Sequence, residues 1–326
     1  MKFTRRKFLH LAAGAAALPV MPRAALALDY PTRPVHLLVG FPPGGAADTL
    51  ARFIGQGLSE RLGQSVVIEN RPGAGSNLAA EAVVRAPPDG YTLLEMTAAN
   101  ASNVSLYPNL GFNFIRDIRP VASVSRTPYA MVVNASFPAK TVAEFIAYAK
   151  ANPRKINMAS SGIGITTHIF GELFVSVAGI EVVHVPPFRG GAPAITALLG
   201  GQVQVYFSPL PEPLEQIRAG KLLALGVTTA DRVDALRDVP AIGESLPGYE
   251  AHGWQGIGAP KDTPADIVDK INRETNSVLA DAGIRARLAD LGVEPMPTTS
   301  AEFAKLTADD TEKWGKVIRD ANIKPE

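Results

Sequence analysis

Two short stretches of small residues, each following an apolar run, carry the chemistry best suited to a small ligand. The first is Phe41-Pro42-Pro43-Gly44-Gly45-Ala46-Ala47-Asp48. Its glycines permit close backbone approach and its prolines stiffen the turn while removing donors. The second is Ser160-Ser161-Gly162-Ile163-Gly164-Ile165-Thr166-Thr167-His168, which combines small residues, hydroxyls and a helix start. First-turn N–H groups of a helix have no intrahelical partner and favour an anion. One carboxylate per loop is the natural arrangement. An ordinary helix-capping turn explains either loop taken alone. Their recurrence in one chain points to a site.

Catalytic readings are weaker. Ser160-Ser161-Gly162 lacks the preceding Gly of a nucleophile elbow. Ser161, His168 and Asp48 can be drawn as a triad, but their spacing carries no geometry. The Gly-Gly turn has no Lys-Ser/Thr after it, and no Gly-x-Gly-x-x-Gly follows the first strand. His36, His168, His184 and His252 show no His-x-x-x-His spacing, so no metal and no other cofactor is expected. His36 and His184 fall in strand patterns and read as structural. His168 stands between capping and ligand contact. Trp254 and Trp314 read as core residues.

The elements that must position these loops alternate along the chain. The apolar run 35–40 reads as a strand entering the first loop, and 48–62 as a helix ending before Gly63. Strand 65–70, turn 71–75, helix 77–85 and strand 91–96 follow. This order implies parallel strands with right-handed crossovers in an open α/β sheet. Residues 100–119 show no period. A second unit then begins with strand 129–133, helix 141–151, strand 156–159 and helix 166–177. It continues through 182–185, 192–199, 203–207, 211–219 and 222–228. From Gly253 come a strand-like run, 254–259, and helices 264–281 and 301–321. Thr263 is read as the N-cap of the first of these, with Pro264 at its first position and Asp266 beside its positive end. Two α/β units with a returning C-terminal segment allow a bilobed protein.

The chain has 326 residues with 32 Lys and Arg, 31 Asp and Glu, and no Cys. At ~100–200 residues per domain, this length suits about two domains, each with its own core. Near-neutral charge argues against a nucleic-acid binder. Without Cys there is no disulfide framework, thiolate nucleophile or iron–sulfur cluster. Residues 1–27 read as a cleavable signal peptide: a cationic start, an apolar run from Leu11 to Met21, and Ala25-Leu26-Ala27 as the cleavage pattern. That run is well short of the ~20 residues of a spanning helix. Thr4-Arg5-Arg6-Lys7-Phe8-Leu9 is similar to a twin-arginine export signal, with the general secretory route as the alternative. Cleavage removes five of the 32 basic residues and none of the 31 acidic ones, leaving a formal charge of −4. The mature protein is expected in the periplasm.

Tyr30-Pro31-Thr32-Arg33-Pro34-Val35 leading to Pro42-Pro43-Gly44-Gly45-Ala46-Ala47-Asp48 resembles the opening of the Bug family, the extracytoplasmic solute receptors of tripartite tricarboxylate transporters. The likeness continues through Glu69-Asn70-Arg71-Pro72-Gly73-Ala74-Gly75, Pro88-Asp89-Gly90-Tyr91, Ala149-Lys150-Ala151-Asn152-Pro153, Ser160-Ser161-Gly162 and His168. Gly200-Gly201-Gln202-Val203, Ala219-Gly220-Lys221-Leu222, Leu246-Pro247-Gly248-Tyr249-Glu250 and Trp254 extend it over essentially the whole mature chain.

The resemblance implies a two-lobed Venus-flytrap fold of the periplasmic-binding-protein kind, with open mixed or parallel sheets flanked by helices. Lobe 1 would comprise 28–128 plus 253–326, and lobe 2 would comprise 129–252. It implies a cleft that closes on a small organic anion, a carboxylate held by backbone amides and bridging waters more than by cations. Carried over residue by residue, the ligand-binding candidates are Phe41, Gly44, Gly45, Ala46 and Asp48 from the first loop. Ser160, Ser161, Gly162, Gly164, Thr167 and His168 come from the second, with Arg189 beyond them. Where the family commonly has Val-Pro-Tyr-Lys/Arg-Gly, this chain has Val185-Pro186-Pro187-Phe188-Arg189-Gly190, which removes a phenolic donor and puts ligand identity in question. Pro240-Ala241-Ile242-Gly243-Glu244 departs from the usual Pro-Thr-x-x-Glu. The expected protein is a non-catalytic, monomeric solute receptor serving the membrane components of a tripartite transporter. The alternatives are an exported α/β hydrolase and a ligand-dependent partner of a sensor kinase.

Overall fold

The computed structural model describes residues 29–107, 109–185, 188 and 190–325. The signal-peptide reading and Arg189 therefore lie outside the described residues.

Two mixed sheets organise the chain. The first has the order β11-β4-β10-β3-β1-β2, built from β1 (Val35–Val39), β2 (Val66–Asn70), β3 (Thr92–Thr97), β4 (Ile118–Thr127), β10 (Gly253–Pro260) and β11 (Glu294–Pro295). The second has the order β7-β6-β8-β5-β9, from β5 (Tyr129–Asn134), β6 (Asn157–Ala159), β7 (Val183–His184), β8 (Val205–Pro209) and β9 (Leu222–Val227). Strands β1, β2 and β3 are parallel, as the strand–helix–strand order requires. Strand β10, however, runs antiparallel to β3 and β4, and β5 runs antiparallel to β8 and β9. The sheets are thus mixed rather than wholly parallel. The strands carrying the two loops, β1 and β6, end where each chain turns into a helix: Ala46–Leu62 and Thr166–Ala178.

Two segments differ from the sequence reading. The stretch 100–119 contains helices Ala98–Leu106 and Phe114–Asp117 and the start of β4. Helix Ala98–Leu106 is buried along most of its length and carries Asn100, Ser102 and Asn103 inside, so it shows no polar–apolar period. Strand β4 buries Ser123, Ser125 and Thr127, which masks its core character. Thr263 does not cap the following helix; its Oγ1 donates to the Pro260 carbonyl, and Pro264 takes the capping position ahead of Ala265–Ala280.

The last helix, Ser300–Asp320, fastens the two sheets together. Its buried residues Phe303, Thr307, Asp310, Trp314 and Ile318 recur at helical spacing. Phe303 stacks edge-on against Trp254 of β10, with ring centroids 5.2 Å apart, in the core of the first sheet. Trp314 and Ile318 join the core of the second sheet, where Trp314 lies 4.9 Å from Phe170. Between them the Trp254 indole donates to Asp310 at 2.6 Å, and burial raises the Asp310 carboxyl above its ordinary range despite that bond. Both tryptophans are core residues, as their sequence context suggested.

Replacing Trp254 by Phe keeps the stack on Phe303 but leaves Asp310 buried without its donor. We expect a loss of roughly 1.5–3 kcal/mol in chemical denaturation, the cost of a buried hydrogen bond to an acidic group. A loss within error would mean that Asp310 rehydrates freely.

Candidate functional site

The first loop is shaped by one carboxylate. Asp48 is buried; its Oδ2 accepts from the Gly44 N–H at 2.8 Å and from Arg52 Nε at 3.0 Å. Its Oδ1 accepts from Asn70 Nδ2 at 2.9 Å, and Arg52 Nη2 lies at the same distance. Asn70 Nδ2 also donates to the Phe41 carbonyl, tying the loop to the end of β2. Burial pushes the Asp48 pKa up, but the hydrogen bonds from Arg52, Gly44 and Asn70 outweigh it and hold the carboxyl below its ordinary value. Gly44 takes the left-handed conformation, φ 82°, that this turn requires. Asp48 is therefore the organiser of the loop, with its oxygens committed inside it. The helix begins at Ala46 behind Gly45, which has no side chain to cap it, so first-turn N–H groups face outward from the strand end.

The second loop is held in a similar way. The Ser161 N–H donates to Thr167 Oγ1 at 3.1 Å, and the two hydroxyls are themselves 3.1 Å apart. The Gly164 N–H donates to His168 Nδ1 at 3.0 Å. That bond makes Nδ1 the acceptor, so Nε2 carries the proton and faces Glu172 at 3.3 Å. Ser160 is buried and its hydroxyl donates to the Gly162 carbonyl at 3.0 Å. His184 stacks on His168 with ring centroids 3.7 Å apart and contacts Ser160 Oγ through Nε2 at 2.7 Å. Burial, with the neighbouring His168, lowers the His184 pKa to about 3, so the ring is neutral. The Ser160 proton is already given away, so His184 is the donor in that pair.

These bonds dismantle the drawn triad. Ser161 pairs with Thr167, His168 faces Gly164 and Glu172, and Asp48 is taken by Arg52 and Asn70. Ser160 and His184 do touch, but the imidazole donates rather than accepts and cannot act as the base. Among the described residues no group of His, Asp and Glu is placed to hold a metal.

Both loops border one gap between the sheets. A Cβ on Gly164 would overlap the Leu106 side chain, and one on Gly190 would stand 3.8 Å from Pro42. A Cβ on Gly75 would lie 3.5 Å from Ile165. These approaches set Gly164 and Ile165 of the second loop beside Leu106 and Gly75, and Gly190 beside Pro42 of the first loop, while Phe41 and Ser160 sit at the strand ends.

Other residues at this gap escaped the sequence reading. Residues 73–76 all have positive φ, including Ala74 at 47° and Ser76 at 79°, a conformation uncommon for side-chain-bearing residues. Asn103 Nδ2 donates to the Gly75 carbonyl at 2.7 Å and to Asn77 Oδ1 at 2.9 Å. Asn77 Nδ2, Asn103 Oδ1 and Thr97 Oγ1 are buried without a partner among the described residues. On the second sheet, Glu212 accepts from Ser208 Oγ at 3.2 Å and from Tyr206 Oη at 3.3 Å. Burial raises the Glu212 pKa to about 7, tempered by hydrogen bonding. The signal available in sequence was the run Gly73-Ala74-Gly75-Ser76-Asn77 and an acid after Pro209; neither is distinctive alone.

The sequence model of the tripartite tricarboxylate transporter family receptor matches residues 50–323. Protein BugT of Bordetella pertussis is 34% identical over 298 residues, covering 90% of this chain and 91% of its own. The solved structure of R. palustris Rpa4515 with adipate superposes with a TM-score of 0.87 at 37% identity, covering 91% of this chain and all of that one. The structure of MatC from Rhodopseudomonas palustris with bound malate gives a TM-score of 0.82 at 33% identity, covering 89% of this chain and 100% of that one.

Asp48→Ala strands the Gly44 N–H, Arg52 and Asn70 and is expected to cost roughly 1–3 kcal/mol of stability. The Asp48 pKa is lowered on folding, so its contribution is complete above the ordinary carboxylate value of about 4 and fades as pH falls through the folded value. Denaturation midpoints of wild type and Asp48→Asn measured across acid pH should therefore converge at the low end. A constant difference would place the effect elsewhere.

Proposed function

Because the chain belongs to the family of tripartite tricarboxylate transporter receptors, we propose that it is a periplasmic solute-binding receptor, without catalysis, for a small organic carboxylate. The solute is captured between two lobes, 28–128 plus 253–326 and 129–252, and passed to the membrane components of a tripartite transporter. Residues 1–27 serve as the export signal, of the twin-arginine kind, and the receptor works as a monomer. The observation that carries this reading is the pair of glycine-bearing turns, 41–48 and 160–168, bordering one gap at the start of two helices. Backbone donors there suit a carboxylate without a cation. The ligands of the two solved structures, adipate for one and malate for the other, are of the same chemical class.

The first-loop candidates Phe41, Gly44, Gly45, Ala46 and Asp48 divide by role. Gly44, Gly45 and Ala46 offer backbone, Asp48 holds their shape, and Phe41 anchors the turn through its carbonyl. In the second loop Ser161, Gly162, Gly164 and Thr167 line the gap, while Ser160 and His168 brace it. Arg189 extends this set. Asn77, Asn103 and Thr97, with unspent hydrogen-bonding capacity, join it from the first sheet. Closure is a population shift: contacts made from both lobes favour the closed form, which the membrane partner reads.

Mature protein should gain thermal stability from at least one mono-, di- or tricarboxylate, about 2.7 kcal/mol at one hundred times its Kd. Removing that solute by dialysis should return the unfolding midpoint to its starting value. Native mass spectrometry of gently purified protein would reveal a retained solute. No stabilisation across a broad metabolite panel, together with turnover of an ester or amide, would favour the hydrolase instead.

A further inference from the structure

The second loop turns its carbonyls one way and its donors the other. The Ser160 carbonyl accepts from the Phe188 N–H at 3.1 Å, and the Ser161 carbonyl from the Gly190 N–H at 3.3 Å. The Gly162 carbonyl accepts from the Ser160 hydroxyl at 3.0 Å. In a trans peptide the C=O and the following N–H point in opposite directions. The tied carbonyls therefore send the N–H groups of Ser161, Gly162 and Ile163 the other way. The first is taken by Thr167 Oγ1. The Gly162 and Ile163 N–H groups make no hydrogen bond among the described residues, and both residues are partly exposed. Ahead of the helix start, they are two adjacent donors left for an anion.

The ties are not equally secure. Those from Phe188 and Gly190 are backbone bonds, fixed by the course of the chain. The third rests on a hydroxyl, which rotates unless something holds it. It also acts on a peptide that follows a glycine, where no Cβ restricts rotation. His184 supplies the restraint. Its Nε2 lies 2.7 Å from Ser160 Oγ, and because Ser160 spends its proton on Gly162, the imidazole is the donor. The ring comes from β7, paired there with Met158 of β6, and stacks on His168 with centroids 3.7 Å apart. His168 in turn accepts from the Gly164 N–H. Burial and the neighbouring His168 keep the His184 ring neutral, so it orients the loop without adding charge.

We propose, resting on the receptor reading above, that His184 is a positioning residue for the solute carboxylate. Its Nε2–H holds the Ser160 hydroxyl against the Gly162 carbonyl, and that bond keeps the Ile163 N–H turned toward the solute. With the lock removed, the Gly162–Ile163 peptide is free to rotate and to present its carbonyl instead. A carboxylate then loses a charge-assisted bond and meets the negative end of a dipole in its place.

The test uses mature wild type, His184→Phe, His184→Gln and Ser160→Ala. Phenylalanine keeps a flat ring over His168 but has no donor, whereas glutamine carries a side-chain N–H. Calorimetry gives the dissociation constants for acetate, succinate, glutarate and adipate. The carbonyl-carbon and amide-nitrogen NMR shifts of the Gly162–Ile163 peptide, recorded without solute, report its orientation. His184→Phe and Ser160→Ala should each move those shifts and weaken the tightest-binding probe by about tenfold, the worth of one hydrogen bond to a charged group. His184→Gln should recover most of that affinity and the wild-type shifts. Peptide shifts unmoved in His184→Phe and Ser160→Ala overturn the inference and leave the receptor reading intact. Equal weakening by His184→Phe and His184→Gln also overturns it, as the mark of a merely structural histidine. If His184→Phe fails to fold, Ser160→Ala decides. If no probe binds wild type, the peptide shifts decide, and the receptor reading stands or falls separately on the broader carboxylate screen.

Discussion

The first loop depends on a buried carboxylate whose valences are all spent inside the protein. Asp48 collects Gly44, Arg52 and Asn70, and through Asn70 it fixes the Phe41 carbonyl at the end of β2. If it were free to bind a ligand, the Pro-Pro-Gly-Gly turn would have nothing to hold it and the amides behind it would point nowhere in particular. With it satisfied, the helix start at Ala46 is a fixed set of donors. His168 plays the equivalent part in the second loop by accepting from Gly164. In each case the ionisable side chain of the motif shapes the backbone, and the backbone offers the chemistry. That ordering also explains why the same residues make no enzyme: a nucleophile and base need free valences, and these have none to spare.

Rigid support beneath the loops comes from strands that are far apart in sequence. Strand β10 inserts antiparallel between β3 and β4, so the chain returns to the first sheet after completing the second. Helix Ser300–Asp320 then joins the cores of both, through Phe303 on one side and Trp314 on the other. A polar pair, Trp254 and Asp310, sits in the middle of this apolar helix face. A buried polar group needs its partner to be tolerable, so the pair fixes the helix's rotation in a way that apolar packing alone does not.

The sequence made the helices and strands around both loops legible because those segments are locally consistent. An apolar run enters a Gly-rich turn and a periodic helix leaves it. Helix Ala98–Leu106 was not legible, since burial on nearly every side erases the amphipathic pattern. Strand β4 was hidden by buried serines whose hydrogen bonds come from distant parts of the chain, such as the Gln255 side chain near Ser125. The antiparallel entry of β10 was equally invisible, because strand direction is settled by which edge the returning chain reaches. At the site, the two loops were readable from residue type. The roles of their members were not: Asp48 read as a ligand contact and His168 stood between capping and ligand contact, and in the structure both spend hydrogen bonds on their own loops.

The proposed receptor role constrains how closure would be driven. A ligand shifts an equilibrium only by the difference in its affinity for the two states. That difference would come from groups that a ligand satisfies without cost to an existing bond. Asn77 Nδ2, Asn103 Oδ1 and Thr97 Oγ1 are such groups on the first sheet, buried and without partners among the described residues. The start of helix Thr166–Ala178 offers donors on the second. A solute spanning those two sets would gain its full complement of bonds only with both in reach, so affinity and closure would be properties of the same contacts.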